Sequence, residues 1–333
     1  KLAPVDLQGE SIPITALLPV AIDDFEPETE INFDLYVHLP ANKKTLAFRK
    51  AGSNIDDKAI QKIKKSAQRV YVKKTHLKKF YEYATAMLSM RNSTDNICHT
   101  EKSQKAKANI QQFMANFLDA DTGNFEFGKN ILEKCKQIVA DLSIMKDLSD
   151  QEICLAVKNF TGSNRTNYND AINMCAYSGF FARLLAEQNE FVENAAIAGI
   201  LHNIGLADLP VSTLGKKVDQ FSPDEKKLFT NYPVKGVVMI KSKKVPLSQE
   251  ISRAINEHRE LCDKSGFPNK ASGGEVTKLA KLLAIAFRFN EMTSLVDDQV
   301  AYTPLNAIEK MKEESFQGTP KFDVTMLNKI ANK

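Results

Sequence analysis

Residues 199–210 read GILHNIGLADLP. An apolar helical pattern over residues 191–202 runs into His202, and Gly205 and Pro210 then punctuate the chain. A histidine followed at once by a small polar residue on apolar ground often opens a metal site. Here the follower is Asn203, an amide and not a carboxylate. The stretch therefore poses a choice between a working metal centre and the shell of one.

Working outward, helical periodicity dominates. Ile131, Leu132, Cys135, Ile138, Val139, Leu142 and Met145 follow a spacing of three and four, which predicts one helix of a packed bundle. Further helical patterns run near 104–118, 150–159, 169–187, 223–240, 247–259, 274–291, 303–314 and 323–332. Gly and Pro gather between them, at TGSN, GLADLP, KSGFPNKASGG and QGTP.

Residues 1–92 differ. PITALLPV, FDLYVHLP and KTLAFRKAG cluster β-formers with Pro or Gly punctuation, and RVYVKK reads as a further short strand. SNIDDKAIQKIKKSA opens with capping chemistry and spaces Ile55, Ile60 and Ile63 as a helix does, and THLKKFYEYATAMLSM is another amphipathic helix. The predicted order is β-β-β-α-β-α. RNSTDNICHTEKSQ, residues 91–104, is polar and reads as a linker, bounded at 93–104 between the two domains. The fold class expected is α+β: a small α/β domain over 1–92, then an all-helical domain over 105–333.

Composition bounds the function. The 333 residues are 43% hydrophobic and 26% charged, enough to bury a sizeable core. A net charge of +4 is far from a nucleic-acid signature. The basic run from Lys62 to Lys79 is interleaved with Ile, Val, Tyr and Leu at core spacing, so it reads as a solvated face. No apolar run is long enough to span a membrane and no signal peptide is visible, so no membrane partner is expected and a cytoplasmic location is. Cys98, Cys135, Cys154, Cys175 and Cys262 form no CxxC pair and read as reduced thiols, mostly small core residues. There is no Gly-rich phosphate loop and no GxSxG elbow. Glu260 and Asp263 read as caps or surface charge.

Three segments carry a family resemblance. ILHNIGLADLPVSTLGKKVDQFSPDE (200–225), INEHRELCDKSGFP (255–268) and LLAIAFRFNEMTS (282–294) resemble, in order and in gaps, the signatures of the HD-GYP family. The match is clearest over 170–295. The N-terminal region also resembles a domain that often precedes HD-GYP domains, through FDLYVHLP and RVYVKK. The resemblance implies an all-α bundle over that part, and an activity of cyclic di-GMP hydrolysis at a centre of two or three metals, commonly iron or manganese. Such a centre needs several His and carboxylate ligands and polarises the phosphodiester while acidifying a bridging water.

Carried over position by position, the family's first His falls at Asp170. Its HD pair falls at His202 and Asn203. The His that stands before Pro falls at Tyr232, the paired histidines at His258 and Arg259, and the late metal Asp at Phe287. The acidic residue that supports a third metal in some members has no acidic match near Thr166. Arg259 sets a permanent cation beside the pocket, and Phe287 is apolar where a carboxylate belongs. The metal centre is therefore expected to be dismantled, with no cofactor and no catalytic residue.

Phosphate grip is expected to be weakened as well. Leu206 stands where the family has a Lys, and Asp297 and Asp298 follow MTS where basic residues belong. Lys216, Lys217, Arg259 and Lys264 could still build a positive, ligand-attracting surface. Ser265, Gly266, Phe267 and Pro268 keep the turn chemistry of the GYP loop, which the resemblance associates with contacts to partners such as GGDEF domains.

The leading expectation is a catalytically inactive HD-GYP-like protein acting as an interaction or regulatory scaffold in bacterial cyclic di-GMP signalling, with a homodimer conceivable. Two alternatives stay open: a receptor that binds cyclic di-GMP without cleaving it, and a single-metal phosphohydrolase built from Asp170, His202 and His258. The related HDOD domains, which also lack the ligands, fit the DKSGFP and MTS segments less well.

Overall fold

In the computed structural model, residues 123–143, 167–210, 213, 218–294, 301–316 and 318–332 are described, together with most of 25–87 and scattered positions at 12–22 and 109–117. The predicted linker, the helical pattern over 150–159, Thr166, Lys216, Lys217, Asp297 and Asp298 lie outside the described residues.

Among the described residues the strands precede Lys74, with one helix among them, and helices follow. β1 (Leu17–Val20), β3 (Leu35–Leu39), β4 (Lys44–Arg49) and β6 (Val70–Lys73) form an antiparallel sheet in the order β1-β6-β3-β4. Val20 lies opposite Val70, and Leu35 opposite Val72, so buried β-branched and Leu side chains stack on one face. A second, two-stranded sheet pairs β2 (Thr29–Ile31) with β5 (Ser53–Ile55). α1 (Asp57–Ser66) starts at Asp56, whose carboxylate accepts from the Ala59 amide at 2.6 Å, and it buries Ile60 and Ile63. Phe25, Phe33, Phe80 and Tyr83 fill the interior, with the Phe33 ring edge-on to Phe80 at 5.8 Å.

The order predicted for this region needs a correction. β2 and β5 add two strands, and SNI pairs as β5 before the helix begins. Three-residue strands offer too few positions for alternation to register, and the polar SNIDD run masked one behind the helix cap that follows it.

The bundle comprises α2 (Phe125–Ser143), α3 (Asn167–Leu184), α4 (Asn189–Leu201), α5 (Pro223–Thr230), α6 (Tyr232–Ser242), α7 (Gln249–Glu257), α8 (Lys278–Thr293), α9 (Pro304–Phe316) and α10 (Val324–Ala331). The predicted helix over 223–240 is two helices. Ser222 and Glu225 form a capping box that starts α5. Pro233 has no N–H to give to the carbonyl of Phe229, so the ladder breaks at Asn231 and restarts.

α8 is the central helix. Leu279, Leu282, Leu283, Ile285 and Ala286 are all fully buried, as a helix packed on several sides must be. Its start is tied to the end of α7: the Glu257 carboxylate accepts from the Thr277 amide at 3.0 Å and from its hydroxyl at 2.9 Å. After α4, a 3-10 turn (Ile204–Asp208) packs on α6. Gly205 makes this contact possible, because a Cβ there would fall 2.0 Å from the Tyr232 carbonyl oxygen. That close approach fixes Tyr232 beside the C-terminal end of α4. No helix among the described residues is long and apolar enough to cross a membrane.

Candidate functional site

α4 and α7 each end on a histidine. His202 and His258 occupy the C-cap positions, and both are buried. In each ring Nδ1 faces a carbonyl of the same helix, Gly199 at 2.7 Å and Ile255 at 2.6 Å. A carbonyl only accepts, so Nδ1 carries the proton in both, and in a neutral ring Nε2 is left with a lone pair. The two rings meet edge to face, with centroids 5.2 Å apart.

The Nε2 lone pair of His258 is taken. The Tyr232 hydroxyl lies 2.9 Å from it and donates to it, with Tyr232 itself fully buried at the start of α6. Burial pushes the His258 imidazole well below the usual histidine range. His202 and the Arg259 cation push the same way, while the hydrogen bond to Ile255 opposes them.

Phe287 of α8 closes the pocket. Its ring centroid is 5.9 Å from that of His202 and 6.2 Å from that of His258. Arg259 lies on Phe287, its guanidinium carbon 3.9 Å from the ring centroid. The same guanidinium is 5.1 Å from the Phe267 ring and 4.0 Å from the Glu291 carboxylate.

Asp170 enters from α3, but Asn290 of α8 engages it, with Nδ2 donating to the carboxylate at 3.1 Å. The Asn290 carbonyl accepts from Asn173 at 2.8 Å and from the Ser294 hydroxyl at 3.0 Å. Sequence reasoning missed this buried polar chain of Asn173, Asn290 and Ser294. The signal was present: an Asn one turn beyond Phe287 in a helix buried on several sides must find polar partners. The Asn203 amide oxygen is buried and accepts no hydrogen bond from a described residue.

The segment 264–268 sits beside the pocket. Lys264 and Ser265 are exposed, Gly266 is buried, and Phe267 and Pro268 are half-buried. Lys264 takes a positive φ of 67°. Glu260, expected as a cap or surface charge, is instead 1% exposed, and its carboxylate accepts from the amides of Asn269 and Ala271 at 2.6 and 3.0 Å. A hydrogen-bonding loop can hide a carboxylate that helix spacing would place at a surface. Asp263 does cap a turn, accepting from the Ser265 amide at 2.9 Å.

Comparison with known proteins gives this geometry a family. The HD domain family model matches residues 147–326, more than half of the chain. The chain belongs to the HD domain family. Over 159 residues it is 25% identical to cyclic di-GMP phosphodiesterase PA4108 of Pseudomonas aeruginosa, which is 48% of this chain and only 38% of that protein. The chain thus spans well under half the length of this curated relative. In fold it is similar to Bd1817, an HDG"Y"P protein from Bdellovibrio bacteriovorus, with a TM-score of 0.60 at 15% identity over 95% of this chain and 98% of that one.

The HD domain's donor set does not fit the metal centre that the HD-GYP resemblance implies. Tyr232 occupies the nitrogen that His258 would offer a metal. Arg259 and Phe287 fill their positions with a cation on a ring, and Asp170 is held by an amide. Among the described residues no three His, Cys, Asp or Glu side chains gather as a ligating group. Among the described residues the candidate single-metal trio does not gather as a ligating group: the His202 and His258 rings meet, and Asp170 accepts from Asn290.

Proposed function

We propose that this HD domain does not hydrolyse cyclic di-GMP and acts as a protein-interaction or regulatory scaffold in bacterial cyclic di-GMP signalling, in the cytoplasm. The signalling context rests on the relatives, one of which is a cyclic di-GMP phosphodiesterase. The absence of hydrolysis rests above all on the Tyr232–His258 hydrogen bond. A metal seeking His258 must first displace a buried hydroxyl, and the carboxylates that would repay that cost are Asn203 and Phe287 here. The feature that faces a partner is the loop Ser265–Pro268, exposed at Ser265 and at the adjoining Lys264 and anchored beneath by Glu260. A GGDEF-type signalling protein is the partner this reading favours.

The test is turnover of cyclic di-GMP by protein supplied with manganese or iron(II), paired with a binding titration against an isolated GGDEF domain. The expected result is no linear or mononucleotide product, and binding that Lys264→Glu with Ser265→Arg abolishes. Turnover that disappears in His202→Ala would overturn the reading in favour of a reduced metal site. Tight binding of cyclic di-GMP without turnover, and none of the GGDEF domain, would replace the scaffold with a nucleotide receptor.

A further inference from the structure

The loop at 264–268 is held from below and from within. From below, the Phe267 amide donates to the Arg259 carbonyl at 3.0 Å, and a Cβ on Gly266 would fall 2.5 Å from that same oxygen. From within, the Phe267 ring meets Phe229 at 5.7 Å, Tyr232 at 6.1 Å and the Arg259 guanidinium at 5.1 Å. The guanidinium also covers Phe287, the ring that packs on both histidines. Arg259 therefore touches the loop with one part of its group and the pocket with another.

We infer that Arg259 is a positioning residue: clamped between Phe287 and Phe267, it couples the packing of the histidine pocket to the conformation of the loop, with no metal taking part. The chemistry suits the task. A guanidinium is planar, weakly hydrated and always charged, so it can lie on aromatic rings at little desolvation cost, which an ammonium cannot do as well. Its side chain is 19% exposed, and the Glu291 carboxylate lies 4.0 Å away. Three residues that break the metal pattern around His258, joined by Phe267 of the loop, thus form one continuous contact set: Tyr232 on the histidine, Phe287 on both histidines, Arg259 on Phe287, and Phe267 on Arg259 and Tyr232. This inference stands apart from the choice of partner and from the turnover assay.

Amide hydrogen exchange on the full chain tests it, comparing Arg259→Lys, Phe287→Leu and their double variant. The amides of Phe267, Asn269 and Ala271 should exchange about three- to thirtyfold faster in each single variant, the range a partly desolvated cation–ring contact supports. The double variant should be little faster than the looser single one, because both remove the same contact. Amides of Ala198 and Leu201 in α4 should keep wild-type rates, showing that the fold is intact. Incubation of wild-type protein with EDTA should change none of these rates. If Phe287→Leu also loosens α4, Phe267→Leu takes its place in the cycle, read on Asn269 and Ala271. The inference is overturned if the loop keeps wild-type exchange in the single variants, if their effects simply add, or if EDTA alone loosens the loop.

Discussion

At the scale of single residues, His258 carries the most consequence. It is buried and neutral, donates from Nδ1 and accepts at Nε2 from Tyr232. Its pKa is held well below the ordinary value of 6.5 by burial first, and then by His202 and Arg259. The unfolded chain takes up a proton near the ordinary value, while the folded chain refuses it until a lower pH. Stability from this group is therefore full above about pH 6.5 and falls as the pH drops below it, by up to about 1.4 kcal/mol per pH unit for one proton. Urea midpoints at pH 7.5, 6.5, 5.5 and 5.0 should show this fall in the wild type and a shallower one in His258→Gln. Equal slopes in the two proteins would remove His258 as the cause. The positions of this site were legible in the sequence, because the HNIG, EHRE and FRFNEMTS segments keep the family's gaps. The hydrogen bonds that these residues make were not legible. The Tyr232 hydroxyl meets His258 across 26 residues of chain, and Asn290 meets Asp170 across 120. No local pattern encodes either meeting.

At the scale of elements, the pocket is set by how closely backbones approach. The 3-10 turn after α4 lies against the start of α6 because Gly205 leaves room for the Tyr232 carbonyl and the Gly236 amide, at 2.0 and 2.6 Å from where a Cβ would stand. Both neighbours are backbone atoms, which no rotamer change can move aside. Gly205→Ala should therefore push α6 away from the turn and cost about 1–3 kcal/mol, the usual range for forcing extra volume into a packed interior. Chemical denaturation would measure it, and a variant within about 0.5 kcal/mol of wild type, the range of an ordinary surface change, would show that the turn yields instead. The bundle helices were readable because their apolar faces repeat every three to four residues over long runs, as in α2 and α8. Two features escaped for opposite reasons. β2 and β5 are too short for alternation. The α5–α6 break hides in a run whose apolar spacing continues across Asn231, and only Pro233 marks it.

At the scale of the whole molecule, composition and packing give different boundaries. Among the described residues the strands end by Lys73 and helices follow, which suggests separate units over 1–92 and 105–333. The buried residues do not divide there. One hydrophobic cluster runs from Val20, Ile63 and Phe80 through Ile110, Phe113 and Phe117 to Ile138, Cys175, Ile285 and Ile330. Lys243, at the end of α6, lies over the Phe117 ring at 4.9 Å, a contact that joins the bundle to residues upstream of it. Separating the parts would expose apolar surface from both sides, at roughly 25 cal/mol for every Å². A chain of this length would ordinarily divide into independent domains, but a shared core opposes that division. We therefore expect one cooperative unfolding transition for the full chain. Ile63→Ala in α1 and Ile285→Ala in α8, both at fully buried positions, should each cost about 2–5 kcal/mol. Both should move the same midpoint, whether it is followed by tyrosine fluorescence or by helical circular dichroism. Two resolved transitions, with Ile63→Ala shifting only one of them, would mean that the strand region folds on its own and that the compositional boundary is also the energetic one.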